Sequence, residues 1–256
     1  MPSSAKMSES RVVLVTGAAR RIGACIAETF HRRGYRVIIH FRHAADDANA
    51  LVKRLNAQRA ESACGIQADL NSREQSELLA SKALDCFGRL DTLVNNASSY
   101  YPTRFGESTQ QQWDDLQNSN VRSAYFLAQS FSDELARQAG SIVNVIDTHA
   151  DRPLRHYPIY SIAKAGLKAM TRSLAIELAP KVRVNGVSPG AILWPAALAD
   201  TDNPAVVDAR KNILQQIPLR ALGKPADIAD AVYFLAAEGT YVNGQVIKVD
   251  GGRSLA

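Results

Sequence analysis

Short apolar, β-branched runs alternate along this chain with longer stretches in which apolar residues recur every three or four positions. Arg11–Val15, Arg36–Phe41, Ser62–Ala68, Thr92–Val94, Ser141–Ile146, Val182–Val187 and Gly244–Val249 read as buried strands. The helical period occupies Ala24–Arg33, Asp47–Asn56, Glu74–Phe87, Trp113–Leu135, Tyr160–Leu178 and Pro225–Glu238. Punctuation supports these assignments: Gly34 and Gly88 follow two of the helices, Pro180 follows a third, and Pro225 with Asp227 opens the last. The Trp113–Leu135 pattern is interrupted near Asn118-Ser119-Asn120. Strands alternating with helices imply an α/β fold. It is a doubly wound, mostly parallel sheet with right-handed crossovers and helices on both faces. Residues 193–218, with Trp194, three prolines and the polar Asp200-Thr-Asp-Asn203, read as a substrate lid with short helices.

Composition narrows the classes. With 256 residues and no Pro/Gly/Ser-rich linker or repeat, residues 11–256 read as a single domain after a flexible 1–10 tail. The tail has no apolar core, so it is not a secretory signal. No run of eighteen apolar residues occurs, so no membrane span of the usual kind is expected. The net charge of +5 is modest and no long Lys/Arg run is present, which argues against a nucleic-acid partner. A phosphorylated cofactor accounts for the excess as well. Cys25, Cys64 and Cys86 lack metal-ligand spacing, so no metal is expected, and free thiols in a reducing cytoplasm are.

Candidate chemistry starts at Thr16-Gly-Ala-Ala-Arg-Arg-Ile-Gly23, which lies between a strand and a helix. This is the layout in which the backbone N–H groups of a helix start meet a dinucleotide pyrophosphate. Arg21 stands where the middle glycine of the usual triplet would be, and an ordinary strand–helix turn is the competing reading. An NAD site would carry an acid at the end of the second strand, for the ribose 2′-hydroxyl. Here that end reads Phe41-Arg42-His43. Arg42, with Arg20 or Arg21, is suited to a 2′-phosphate, so NADPH is the expected cofactor. Farther on, Tyr160 and Lys164 stand one helical turn apart on one face, so the ammonium should lower the phenol pKa from about 10. Asp147 lies at the carboxyl end of the fifth strand, where open α/β sheets place ligands.

Together the Thr16–Gly23 turn, Asp69-Leu70, Asn95-Asn96-Ala97, Asn120, Tyr160-x-x-x-Lys164 and Pro189-Gly190 resemble the short-chain dehydrogenase/reductase family in order and spacing, from about Arg11 to Gly252. The resemblance implies a single-domain Rossmann fold with a cofactor cleft. Gly17, Ile22 and Gly23 would form its glycine turn, Asp69 and Leu70 would border the adenine, and Asn95 and Ala97 would line the adenosine side. Lys164 would hold the nicotinamide ribose, and Asn120 would keep the neighbouring helix bent and support a proton path to Lys164. Pro189-Gly190 would pass under the nicotinamide, with Ile192 near its carboxamide. Leu193 stands where the family commonly has threonine. The helix from Tyr160 would pack on a symmetry mate in a homotetramer.

One departure sharpens the resemblance. Most of the family has serine thirteen residues before the tyrosine, whereas this chain has Asp147. A carboxylate beside a developing alkoxide is unfavourable, but beside a ring nitrogen it can anchor an N–H or relay a proton. Asp147, Arg21 and Asn95-Asn-Ala-Ser-Ser-Tyr100-Tyr-Pro102 together resemble the pteridine reductase branch. In that branch Tyr100 would stack on a pterin or folate ring, and Ser98 would touch both cofactor and substrate. Arg21 would lie near both phosphate and substrate. Reduction of another ketone or imine, and a non-catalytic NADP(H)-binding regulator, are the alternatives.

Overall fold

The computed structural model describes residues 10–194, 198 and 203–256. The expected 1–10 tail and the first part of the expected lid therefore lie largely outside the described residues. Seven strands form one parallel sheet: β1 (Val12–Val15), β2 (Arg36–Phe41), β3 (Ala63–Gln67), β4 (Thr92–Asn95), β5 (Ser141–Val145), β6 (Arg183–Pro189) and β7 (Val246–Val249). Their order is β3-β2-β1-β4-β5-β6-β7, all parallel. This is the doubly wound α/β arrangement expected from the strand–helix alternation. Chain direction along the sheet reverses between β1 and β4, and ligands sit outside the carboxyl ends at such a switch.

Two apolar layers hold the sheet, and β1 divides between them by strand alternation. Val13 and Val15 face helices α1 (Arg21–Arg32), α2 (Ala45–Gln58) and α8 (Pro225–Tyr233) through Ile26, Phe30, Leu51, Leu55 and Ile228. Val12 and Leu14 face the opposite layer of Leu79, Leu127, Phe131 and Leu135. Those side chains come from α3 (Arg73–Phe87) and from α5 (Ser123–Arg137), which follows α4 (Gln110–Gln117). Helix α6 (Pro158–Glu177) follows β5, and α7 (Pro204–Gln215) follows β6.

The interruption expected at Asn118-Ser119-Asn120 is a π-turn over Asn118–Arg122 joining α4 to α5. A second π-turn, Phe234–Glu238, ends the helix that the periodicity carried unbroken to Glu238. Helix α1 starts at Arg21 rather than Ala24, because the glycine turn runs directly into it. The cysteine expectation needs correction. Cys64 in β3 is disulfide-bonded to Cys86 near the end of α3, and only Cys25 is a free thiol. Strand β3 and the helix packed against it bring together two residues 22 apart in sequence. A reducing compartment therefore no longer follows from the cysteines. Among the described residues no helix is long and apolar enough to cross a membrane, and no cluster of metal ligands occurs.

Candidate active site

At the carboxyl ends of β1, β4 and β5 the glycine turn is wired to the loop that follows β4. Thr16 Oγ1 accepts the N–H groups of Asn96 (2.9 Å) and Ala97 (3.0 Å), and the Asn96 amide donates to the carbonyls of Thr16 (2.8 Å) and Gly17 (3.1 Å). Gly17 has a φ of +63°, and a Cβ there would lie 2.9 Å from Ala97 Cα, so both conformation and space demand glycine. Arg21 has a φ of +55°, so an arginine adopts the left-handed conformation at the position of the missing glycine.

His40, which breaks the apolar run Val37–Phe41 of β2, braces the same turn. Its Nδ1 accepts the Gly17 N–H (3.1 Å), so Nε2 carries the proton and faces the Ala68 carbonyl at 3.1 Å. Burial pushes its pKa down to about 4 and keeps the ring neutral. His40 belongs to no spaced motif, and its one sign in the sequence is the break it makes in Val-Ile-Ile-His-Phe.

The turn opens onto a cavity of about 1060 Å³. Gly17, Arg20, Arg21, Ile22, Gly23, Arg42, His43, Asp69, Leu70, Ala97 and Ser98 line one part of it. Tyr100, Asp147, Tyr160, Gly190 and Ile192 line the rest. No side chain caps helix α1, whose first residues Arg21, Ile22 and Gly23 lie on the cavity wall. Its first N–H groups are therefore available to an anion. A glycine cradle, an uncapped helix start and this volume fit a dinucleotide.

Other expected residues stand behind the wall. Asn95 does not line the cleft: its amide donates into the sheet to Asn144 Oδ1 at 2.8 Å, and the neighbouring Asn96 takes the lining position. Phe41 is buried in the core between β2 and α2, Pro189 ends β6 behind the wall, and neither is a lining residue. Two of the cations are engaged. Arg42 pairs with Asp69 (3.0 Å) and lies 3.8 Å from Asp115, and Arg20 pairs with Asp47.

The chemistry centres on Tyr160, whose Oη donates to Asp147 Oδ2 at 2.8 Å. The other Asp147 oxygen accepts the His149 N–H at 2.8 Å, which aims the carboxyl group from the turn after β5. The expectation that Lys164 lowers the Tyr160 pKa is corrected here. Burial first, and the Asp147 carboxylate second, raise it well above the ordinary value. Lys164 is fully buried, donates to the Val145 carbonyl at 3.0 Å and stands 5.7 Å from the Tyr160 ring centroid. Sharing a helix face with the tyrosine did not bring the ammonium to the phenol oxygen. Asn120 donates to the carbonyls of Ser99 (3.1 Å) and Leu116 (2.9 Å), and so holds the π-turn against the loop after β4. Its buried Oδ1 has no partner among the described residues. Such an acceptor suits a bridging water.

Three rings shape the floor. Tyr100 lies flat on Tyr157, with centroids 4.8 Å apart and planes 16° apart, and meets Tyr160 edge-on at 4.9 Å. Tyr157, Trp194, His149 and Arg253 also line the cavity, and none belongs to a spaced pattern that would mark it in the sequence.

The Lys164 environment gives a pH prediction. Burial lowers its pKa from 10.5 to about 8. Between those values the unfolded chain holds a proton that the folded chain has released, so this group makes stability rise with pH there. Below about pH 8 the burial penalty is complete. Urea unfolding at pH 7.5 and 10.5 should show the parent gaining about 2–3 kcal/mol relative to Lys164→Met. A difference that stays flat with pH would contradict the assignment.

Comparison with known proteins adds kinship to geometry. A family model described as "Enoyl-(Acyl carrier protein) reductase" matches residues 17–254. Pteridine reductase 1 of Leishmania tarentolae is 39% identical over 285 residues, spanning 95% of this chain and 96% of that protein. A 3-oxoacyl-[acyl-carrier-protein] reductase of Staphylococcus epidermidis is 32% identical over 246 residues, spanning 95% of this chain and 98% of that protein. An uncharacterized oxidoreductase of Methylorubrum extorquens is 35% identical over 246 residues, with 95% and 98% coverage.

Proposed function

Because the chain belongs to the short-chain dehydrogenase/reductase family and is thus an NAD(P)H-dependent oxidoreductase, we propose that it is an NADPH-dependent pteridine reductase. Its substrate would be a dihydropterin or dihydrofolate ring, reduced to the tetrahydro form. The observation that carries this reading is the Asp147 carboxyl group set 2.8 Å from Tyr160 Oη, where a ketone reductase needs a neutral or positive donor to an oxyanion. The 39% identity to pteridine reductase 1 supports it, while the 32% identity to a 3-oxoacyl reductase keeps ketone reduction as the second reading.

NADPH, when bound, supplies the hydride. The protein's part is to manage the proton and the ring. A buried phenol with a raised pKa keeps its proton until a strongly basic partner appears, and a ring nitrogen receiving an electron pair is such a partner. In the resting site that O–H is directed at Asp147. Pterin N–H donors competing for the carboxylate would free the Tyr160 O–H to turn to the ring nitrogen. Lys164, Asn120 and a water held at Asn120 Oδ1 would return a proton from solvent. Tyr100 would offer the stacking surface, and Ser98 and Arg21, which line the same cavity, would meet both cofactor and substrate.

The deciding experiment follows NADPH absorbance with dihydrobiopterin, dihydrofolate, a 3-oxoacyl thioester and simple ketones. Turnover of the first two but not the last two is expected. Turnover of the ketones alone would establish the second reading.

Cofactor choice is tested separately. Arg42 and Arg21 would hold the 2′-phosphate, with Arg42 exchanging one of its carboxylate partners for it. Arg42→Asp should raise the KM for NADPH by roughly 10–100-fold and narrow the preference over NADH. Equal use of both cofactors by the parent protein would remove the assignment.

A further inference from the structure

The C-terminal segment returns to the cavity and carries an arginine into its substrate half. After β7, Asp250 organises a tight turn. Its Oδ1 accepts the Gly252 N–H (3.0 Å), its Oδ2 accepts the Ser254 N–H (2.8 Å), and its carbonyl accepts the Arg253 N–H (3.1 Å). Arg152, from the loop before α6, clamps the segment from outside by donating to the carbonyls of Arg253 and Ala256. The Arg253 backbone is therefore fixed at both its N–H and its carbonyl.

Its side chain is not engaged. The guanidinium lines the cavity with Tyr100, Tyr157, Asp147 and Trp194, and makes no hydrogen bond or ion pair among the described residues. Its field reaches the Tyr100 phenol and opposes the rise of that group's pKa, which burial causes. Of the other arginines described so far, Arg152 is held on backbone carbonyls, Arg42 on Asp69 and Arg20 on Asp47, and Arg21 lies at the start of helix α1 beside the glycine turn. A fork of five donors on a fixed backbone, half-buried in the cavity lining and without an acceptor among the described residues, is suited to a carboxylate arriving with the ligand.

Resting on the pteridine reading above, we propose that Arg253 is a substrate-binding residue that recognises the anionic tail of the substrate. The enzyme would then favour a pterin whose side chain ends in a carboxylate, as in dihydrofolate, over one with a neutral polyol side chain, as in dihydrobiopterin. With the ring on Tyr100 beside Tyr160 and Asp147, the side chain would run along the remaining lining, to which Arg253, Leu154 and Trp194 belong. A p-aminobenzoyl spacer would run along the apolar wall and present its terminal carboxylates to the guanidinium. A short neutral side chain would leave the guanidinium in water.

The test is the ratio of kcat/KM for dihydrofolate to that for dihydrobiopterin, measured in the parent and in Arg253→Ala, Arg253→Glu and Arg253→Lys. The ratio should fall about tenfold in Arg253→Ala, farther in Arg253→Glu, and least in Arg253→Lys, with the loss in KM rather than kcat. Dihydrobiopterin turnover by the same variant reports that it is folded. A ratio unmoved by Arg253→Glu would overturn the role of Arg253 and leave the pteridine reading standing. A parent that reduces neither substrate would overturn both.

Discussion

Tyr160→Phe lowers kcat by about 10²–10⁴ while leaving the melting temperature and NADPH affinity close to those of the parent. The expected size is that of a lost general acid. The ring is almost fully buried, with Ile159 and Leu116 around it, and phenylalanine keeps those contacts. What disappears is one oxygen and its 2.8 Å hydrogen bond to Asp147. The Asp147 carboxyl group is not orphaned by this, because it also accepts the His149 N–H and faces the open cavity. The stability cost is therefore near the net value of a single hydrogen bond, about 1 kcal/mol. The measurement is a pair: steady-state turnover with dihydrobiopterin, and thermal unfolding with and without NADPH. Near-normal turnover would move the proton donor to another group. A collapse of the melting temperature would mean that the variant reports on folding and not on the reaction.

The fold was legible because each strand is a short apolar run and each helix a periodic one, and because those patterns follow from burial on two faces or on one. Most boundaries shifted by a few residues, and two of the shifts coincide with irregular backbone. Helix α1 begins three residues early, directly after the glycine turn, with Arg21 itself in the left-handed region, and the helix after Pro225 loosens into a π-turn at Phe234. The site was legible as a set of residues but not as a set of contacts. Spacing put Tyr160 and Lys164 on one helix face, but it could not tell that the Lys164 ammonium would be taken by the Val145 carbonyl. Nor could it tell that Asp147 would raise the Tyr160 pKa and not leave Lys164 to lower it. Asn95 and Asn96 are adjacent and chemically identical, and only strand alternation decides which one turns into the sheet. Cys64 and Cys86 meet because a helix packs back on its strand. Arg253 reaches the cavity through the closing turn of the chain, a relation no local pattern encodes.

Asp147→Ser and Tyr100→Ala divide a pterin substrate from an ordinary ketone, and they should do so in opposite kinetic terms. A pterin is a flat, electron-poor bicycle with an amino-pyrimidinone edge rich in N–H donors. It needs an acceptor at that edge and a surface to stack on. Asp147→Ser removes the acceptor and installs the hydroxyl suited to a carbonyl oxygen, so kcat for dihydropterin should fall roughly 100-fold or more, as for loss of a proton relay. Asp147→Asn keeps the shape, but its amide donates where the carboxylate accepted, and it should be nearly as poor. Tyr100 acts on binding. Its ring is about half exposed and is already stacked on Tyr157, so removing it leaves the fold unharmed but halves the aromatic platform. Tyr100→Ala should raise KM about tenfold, the equivalent of one stacking contact, with little change in kcat. Tyr100→Phe should be mild, because stacking requires the ring and not the hydroxyl. Each variant is assayed with dihydrobiopterin and with a 3-oxoacyl thioester. If Asp147→Ser and Tyr100→Ala both reduce dihydrobiopterin as well as the parent does, the pterin assignment fails. If Asp147→Ser also gains activity on the thioester, that single carboxylate is what separates this chain from the ketone reductases it resembles.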